Sequence, residues 1–314
     1  MSSRKLSVLI ACFSYGGNGG LSSEHPDVRN WLLQTVPKMQ ADPRIGEVQL
    51  IDIADTPITM SRNKAVVKAR DGKFDLLLMV DSDMRLDVCD GLDHSKPFWD
   101  SSFDAIYDHY DAGPLAIGAP YCGPPPYENV YVFRWRCKES NNPNPVDAQL
   151  DQYTREEAHD QGGIKPVAAL PTGLILFDMR IFDVTDPKHQ YDSFISKGYP
   201  EKEAKDLTKS WFYYEWNSIY GDTKASTEDV TATRDMALLG YQELGYNPVM
   251  CNWDAWAGHW KPKCVGKPVL LTNDEVSERY ACAAKRMSRN TKSIAWKSPQ
   301  LTRLDFSKAI TVYE

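Results

Sequence analysis

An α/β fold built on a mostly parallel sheet is what this 314-residue sequence predicts. Three observations predict it. Short apolar runs alternate with segments of helical periodicity over the first 120 residues, the pattern of a doubly wound sheet flanked by helices. Residues 74–80 hold six apolar side chains interrupted only by Asp75, a run that reads as a strand buried on both faces in a parallel sheet. That run stops at Asp81-Ser82-Asp83, and the carboxyl ends of strands are where open α/β sheets bind ligands.

Taken in order, residues 7–12 form a first apolar strand opening into the glycine pairs of residues 16–20. These do not match a G-x-G-x-x-G fingerprint, although they allow close backbone approach to a nucleotide. Val28, Trp31, Leu32, Thr35 and Val36 fall at helical spacing within residues 27–39. Residues 47–53 alternate as a second strand, and after Pro57 a helix over 58–69 carries Arg62, Asn63, Lys64 and Lys68. A helix over 97–110 and a strand over 115–119 complete the alternating half. After Pro120 the character changes: residues 129–136 alternate as an antiparallel strand, and 141–161 read as a polar loop. Residues 174–178 are a second strongly apolar strand, and 189–220 are rich in aromatics that suit core packing or a ring-stacking wall. A helix begins at Ser226-Thr227-Glu228-Asp229 and runs to about residue 240. A further helix is expected over 275–289.

Apolar content of 42% and charged content of 25% are those of a soluble globular protein. No segment approaches the roughly 18–20 apolar residues that span a bilayer. The N-terminal run reads as a strand rather than a signal peptide. Seven scattered cysteines without C-x-x-C favour reduced thiols and a cytoplasmic setting. Cys251, His259 and Cys264 have no standard zinc spacing. The net charge of −7 is uneven: residues 261–314 carry eleven Lys and Arg against five Asp and Glu, net +6, which leaves −13 on the first 260. Such a basic tail meets a polyanion or is a solvated face.

Two hard carboxylates at a strand end suit Mg²⁺ or Mn²⁺, completed by water and phosphate oxygens. The bland alternative is a strand-ending turn in which an Asp caps the next helix. Glu228 and Asp229 have a similar alternative, as first-turn acids of a helix that Thr227 caps. His259, between aromatics, suits a packed histidine by itself.

The ordered set Ser61-Arg62-Asn63, Asp81-Ser82-Asp83-Met84, Ala119-Pro120-Tyr121, Thr172-Gly173-Leu174, Glu228-Asp229-Val230 and Gly258-His259 resembles the GT-A glycosyltransferases, most closely family-2-like enzymes of phage and bacterial genomes. No single motif is specific, and the order carries the likeness over residues 6–260. The resemblance implies a GT-A domain over 1–260, with a nucleotide-binding half (1–120), a mixed acceptor-binding half (121–260) and a basic extension (261–314). It implies Asp81 and Asp83 as a D-x-D pair and His259 as a late ligand for Mn²⁺ or Mg²⁺. Ser14, Tyr15, Arg62, Asn63 and Ser82 fall at donor-binding positions. Thr172 and Gly173, with the aromatic Trp211, fall on the acceptor side, and Asp229, with Glu228 beside it, at the catalytic base.

The activity implied is inverting hexosyl transfer from a nucleoside-diphosphate sugar, a UDP-sugar foremost, to an acceptor hydroxyl. A phage setting points to a hydroxymethylpyrimidine in DNA as acceptor, reached through the basic tail, and to the host cytoplasm as location. Protein, lipopolysaccharide and small-molecule acceptors stay open. Two other classes remain: a sugar-phosphate nucleotidyltransferase, disfavoured by the lack of a basic residue in the Gly-rich turn, and a non-catalytic sugar-nucleotide or nucleic-acid binding protein.

Overall fold

The computed structural model describes residues 4–14, 25–54, 57–87, 95–123, 129–136, 150–216 and 224–260. The chain begins with β1 (Leu6–Phe13), α1 (Pro26–Ala41), β2 (Ile45–Ile53), α2 (Ile58–Asp71) and β3 (Leu76–Asp81). A short β4 (Met84–Arg85) precedes α3 (Phe98–His109) and β5 (Ala116–Gly118). Then come β6 (Phe133–Trp135), β7 (Leu150–Gln152), α4 (Arg155–His159), β8 (Ile164–Pro166) and β9 (Leu174–Asp178). Three short helices come next, α5 (Ile181–Val184), α6 (Pro187–Ser196) and α7 (Glu201–Leu207). The described chain ends with β10 (Glu215–Trp216), β11 (Lys224–Ser226), α8 (Glu228–Leu244), β12 (Val249–Asn252) and β13 (Gly258–His259).

Seven strands make one sheet in the order β2-β1-β3-β9-β5-β12-β8. β1 is parallel to both β2 and β3, and β12 is parallel to β5. β9 runs antiparallel to both its neighbours, β3 and β5, and β8 runs antiparallel to β12. The expected α/β class, with a mostly parallel sheet flanked by helices, is therefore borne out. One expectation is corrected: β3 does not lie in an all-parallel environment, because β9 inserts beside it. A buried strand needs apolar side chains on both faces whichever way its neighbour runs, so the run at 74–80 could not reveal this.

Alternate side chains of β1 feed two cores. Leu9, Ala11 and Phe13 join Ala65 and Val66 of α2, Ile181 and Phe182 of α5 and Met236 of α8 on one face. Val8, Ile10 and Cys12 join Val28 and Trp31 of α1 and Phe98 and Phe103 of α3 on the other. The period-2 alternation of a strand turns its uninterrupted apolar run into two buried layers. Asp75, the one polar interruption, accepts hydrogen bonds from the N–H and hydroxyl of Ser7, both at 2.7 Å, and so ties the start of β3 to β1.

Residues 150–161 are corrected too. They are not loop: they contain β7, which pairs antiparallel with β6 as the alternation over 129–136 anticipated, and α4. Thr154 and Glu157 form a reciprocal capping box at the start of α4, a local signal that outweighs the polar composition. α8 extends past residue 240 to Leu244 and stops where Gly245 adopts φ +80°, a left-handed conformation that glycine enters without steric penalty. No helix among the described residues is long and apolar enough to cross a membrane. The helix expected over 275–289 and the basic tail lie outside the described residues.

Candidate active site at the carboxyl edge of the sheet

β1 and β3 end side by side at one edge, where Phe13 pairs with Asp81. Because β9 is reversed, its entry turn, Thr172-Gly173, arrives at that same edge, and the Asp81 N–H donates to the Gly173 carbonyl at 2.8 Å. The N-terminus of α8 comes to this edge with Glu228, α2 contributes Arg62, and β13 pairs with β4 immediately after the Asp81–Asp83 turn. Most residues singled out in the sequence thus converge through topology rather than through proximity in the chain.

Arg62 is the hub. It is 2% exposed, and its guanidinium donates to Asp81 Oδ2 at 3.1 Å, to Glu228 Oε1 at 3.4 Å and to the Thr172 carbonyl at 3.2 Å. Burial opposes its charge, but Asp81 and Glu228 more than offset that, so its pKa is raised and it stays protonated. Burial is also the largest influence on the two acids. It raises the Asp81 pKa against the pull of Arg62, with Asp83 adding to the rise. It raises that of Glu228 too, with Asp229 reinforcing and Arg62 opposing. The Tyr214 hydroxyl lies against Glu228, and burial and that carboxylate together push the phenol up.

The turn at Ser82 separates the two aspartates. Asp81 is the last residue of β3 and faces Arg62, whereas Asp83 lies beyond the turn, where its Oδ2 is 3.1 Å from His259 Nε2. Of the set Asp81, Asp83 and His259 expected as metal ligands, the structure brings two together and turns Asp81 Oδ2 toward Arg62. Only Asp83 and His259 meet, and no group of three or more His, Cys, Asp or Glu side chains placed to hold a metal occurs among the described residues. One carboxylate oxygen and one imidazole nitrogen suit Mn²⁺ or Mg²⁺ if phosphate oxygens and water complete the shell. Both side chains keep some access to solvent, 22% for Asp83 and 10% for His259. The Tyr121 ring meets His259 edge-on at 5.1 Å.

Buried polar atoms at this edge without a hydrogen-bond partner among the described residues include Asp81 Oδ1, Ser82 Oγ, Thr172 Oγ1 and His259 Nδ1. Such atoms are costly unless water or a ligand satisfies them. A side chain at Gly173 would crowd its neighbours: a Cβ there would lie 2.7 Å from the Tyr121 hydroxyl and 3.0 Å from Met84 Sδ, so one of them would have to shift.

α8 presents Glu228 and Asp229 in its first turn, where the dipole favours carboxylates. The Thr227 hydroxyl makes no cap hydrogen bond, so Thr227 occupies the N-cap position without the expected capping contact. Glu228 is buried against Arg62, whereas Asp229 is half-buried and accepts from the Val230 N–H at 2.8 Å.

The remaining residues sit differently. Ser14 ends β1 with its N–H on the Ile53 carbonyl at 3.2 Å, and Tyr15 lies outside the described residues. Asn63 commits its amide to the Thr59 and Phe212 carbonyls and the Phe212 N–H, so it pins the 210–214 segment to α2. Trp211 donates to the Phe182 carbonyl at 3.0 Å and carries Arg70 over its ring at 4.8 Å. Trp211 also lines a shallow groove with Thr59, Met60, Lys64 and Tyr214. Of the three residues without standard zinc spacing, Cys251 is buried in β12, where burial pushes its thiol up, and Cys264 lies outside the described residues. Sequence reasoning gave no role to Tyr121, Tyr214, His25 or Trp260; Tyr121 meets His259 and His25 meets Trp260 only through the fold.

No family model matches the sequence, and no curated protein matches it. Among solved structures, the chain is similar to A197 from STIV, at 10% identity and a TM-score of 0.41, over 85% of this chain and 100% of that one. It is also similar to GalNAc-T7, a structure with UDP, GalNAc and Mn²⁺, at 8% identity and a TM-score of 0.36, over 81% of this chain and 44% of that one. Both likenesses are too distant to carry an argument about the site.

Proposed function

We propose that this chain is a GT-A-type glycosyltransferase that moves a sugar from a nucleoside-diphosphate donor, a UDP-sugar foremost, to an acceptor hydroxyl with the help of a divalent cation. The observation that carries the reading is the convergence, at one sheet edge, of the Asp83–His259 pair with the Glu228-Asp229 helix start. Transfer needs two capabilities: stabilising a leaving diphosphate and removing a proton from the attacking hydroxyl. The two clusters match those needs. Asp83 and His259 would hold the cation, which when bound would supply electrostatic stabilisation of phosphate oxygens.

The chain's own groups do the rest. Asp229, the more accessible of the paired acids, accepts the acceptor's proton as general base. Glu228 is committed to Arg62 and orients the start of α8. Asp81 Oδ1, Ser82 Oγ and Thr172 Oγ1 accept or share hydrogen bonds from donor hydroxyls. In this reading Arg62 and Asn63 position the site rather than touch the donor, because their polar atoms already serve the protein. The acceptor expected from the basic tail, a base in DNA, rests on residues 261–314, outside the described part.

Thermal shift against nucleoside diphosphates and their sugars, each with and without Mn²⁺, tests the reading on wild type and Asp83→Ala. A ligand that binds only the folded state raises the melting temperature by mass action. The expected result is a rise with one diphosphate only when Mn²⁺ is present, lost in the variant. No metal-dependent shift with any of them overturns the reading.

A further inference from the structure

The segment that brings His259 to Asp83 is held from outside by residues that belong to neither side chain's element. β13 is only two residues long, and its pairing with β4 gives two register positions, Gly258 with Arg85 and His259 with Met84. Two-residue ribbons have little intrinsic stability. Trp260, the next residue in the chain, supplies the missing hold. Its backbone N–H donates to the Asp83 carbonyl at 2.7 Å. Its indole N–H donates to Asp27 Oδ2 at 3.0 Å. Its ring stacks on His25 with centroids 4.6 Å apart and planes 17° from parallel.

His25 and Asp27 are the N-cap and second residue of α1, where the His25 ring itself accepts from the Asp27 N–H at 3.2 Å. The His25 N–H reaches the Ser82 carbonyl at 2.8 Å, within the same turn that presents Asp83. Arg85 Nε lies 3.8 Å from Asp27 Oδ2 and closes the ring of contacts. The start of α1 therefore grips both sides of the Asp83–His259 pair, the turn through His25 and the β13 side through Trp260.

We propose that Trp260, clasped by His25 and Asp27, is a positioning residue for the divalent cation, and that α1 is thereby part of the metal site although it donates no ligand. This inference rests on the function proposed for the chain. An exposed tryptophan, 43% accessible here, would ordinarily be neutral to replace. At this position its loss frees His259 to swing away from Asp83, and cation binding then carries the entropy cost of assembling the ligands. Interactions that orient ligands without touching the metal are typically worth about 10- to 100-fold in metal affinity.

The test measures Mn²⁺ affinity in the presence of UDP, by electron paramagnetic resonance of free Mn²⁺, for wild type, Trp260→Ala, Trp260→Phe, Asp27→Ala and His259→Ala. The metal-free melting temperature of each reports folding. The expected result is an affinity loss of about 10- to 100-fold for Trp260→Ala. Trp260→Phe, which keeps a stacking ring but no N–H, and Asp27→Ala, which keeps the ring stack but removes the indole's acceptor, fall between it and wild type. A spectroscopic signature accompanies this: Mn²⁺ broadens the Trp260 indole N–H resonance, assigned by its absence from Trp260→Phe. Trp260→Ala affinity within twofold of wild type, with His259→Ala much weaker, overturns the clasp while sparing the metal site. Unchanged affinity in His259→Ala overturns the metal site, and the clasp with it. If Trp260→Ala does not fold, the Trp260→Phe and Asp27→Ala affinities decide: values at wild-type level reject the proposal.

Discussion

Arg62 and Glu228 are 166 residues apart in the chain and meet as a buried ion pair at 3.4 Å, with side chains 3% and 8% exposed. The same guanidinium holds Asp81 at 3.1 Å. One cation thus joins the strand that ends at the donor side of the proposed site to the helix that carries its proposed base. Desolvation makes such an arrangement a poor source of net stability, but removing one member strands the others.

Arg62→Met tests that asymmetry. The variant keeps an apolar stem of similar reach but leaves Asp81 and Glu228 buried without their counter-charge. The expected loss is about 3–5 kcal/mol in urea denaturation at neutral pH. A loss under about 1 kcal/mol would show that the two carboxylates find other partners or protonate without cost.

Glu228 gives a pH signature with a definite sign. Burial first, and Asp229 second, raise its pKa above the usual carboxylate range. A carboxyl that binds protons more readily folded than unfolded adds stability below about pH 4, and that stability is lost as pH rises through the raised folded value. Glu228→Gln removes the titration. The stability of wild type minus that of Glu228→Gln should therefore fall as pH increases from about 4 towards neutrality. Denaturant titrations of both proteins across that range check it, and a difference that rises with pH would contradict it.

What the sequence disclosed and what it hid divide along physical lines. β1, β3 and β9 were legible because a strand buried on both faces must be apolar throughout. The reversal of β9 was not, since direction leaves no mark on composition. Asp83 and His259 could be paired only through the order of motifs, because 176 residues separate them and their meeting depends on a two-residue ribbon. The buried role of Arg62 was hidden for a related reason: a basic residue in the first half of a helix looks solvent-exposed until its two carboxylate partners arrive from elsewhere. Thr154 and Glu157 were the opposite case, a local capping pattern present in the sequence and outweighed there by the polar composition around it.

Thr233 ties α8 to the segment leading into Thr172. Its hydroxyl accepts from the Leu170 N–H at 3.1 Å and stands 2.8 Å from the Leu170 carbonyl, with the residue fully buried. Thr233→Val keeps the shape and removes the hydroxyl, leaving the Leu170 N–H without its acceptor. The expected cost is about 1–3 kcal/mol. Hydrogen exchange gives the sharper readout: the Leu170 amide should lose protection in the variant while the amides of β1 keep theirs. Equal loss in both places would mean global destabilisation rather than a severed tether.

Asp229 carries the last prediction, which follows from the function proposed for the chain. Unlike Glu228, it is not held by Arg62 and is half-buried rather than buried at the helix start. Asp229→Asn keeps the side chain's size and its acceptor oxygen for the Val230 N–H, but the amide cannot take a proton. Transfer should drop by about 10²- to 10⁴-fold. Mn²⁺-dependent nucleotide binding should stay near wild type, because Asp83 and His259 are untouched. Single-turnover rates with saturating donor separate the two effects. A base attacking from the face opposite the diphosphate also fixes stereochemistry, so the product's anomeric configuration should be inverted relative to the donor. A product that keeps the donor's configuration would remove Asp229 from the role of base for direct displacement, whatever the rate of the Asn variant.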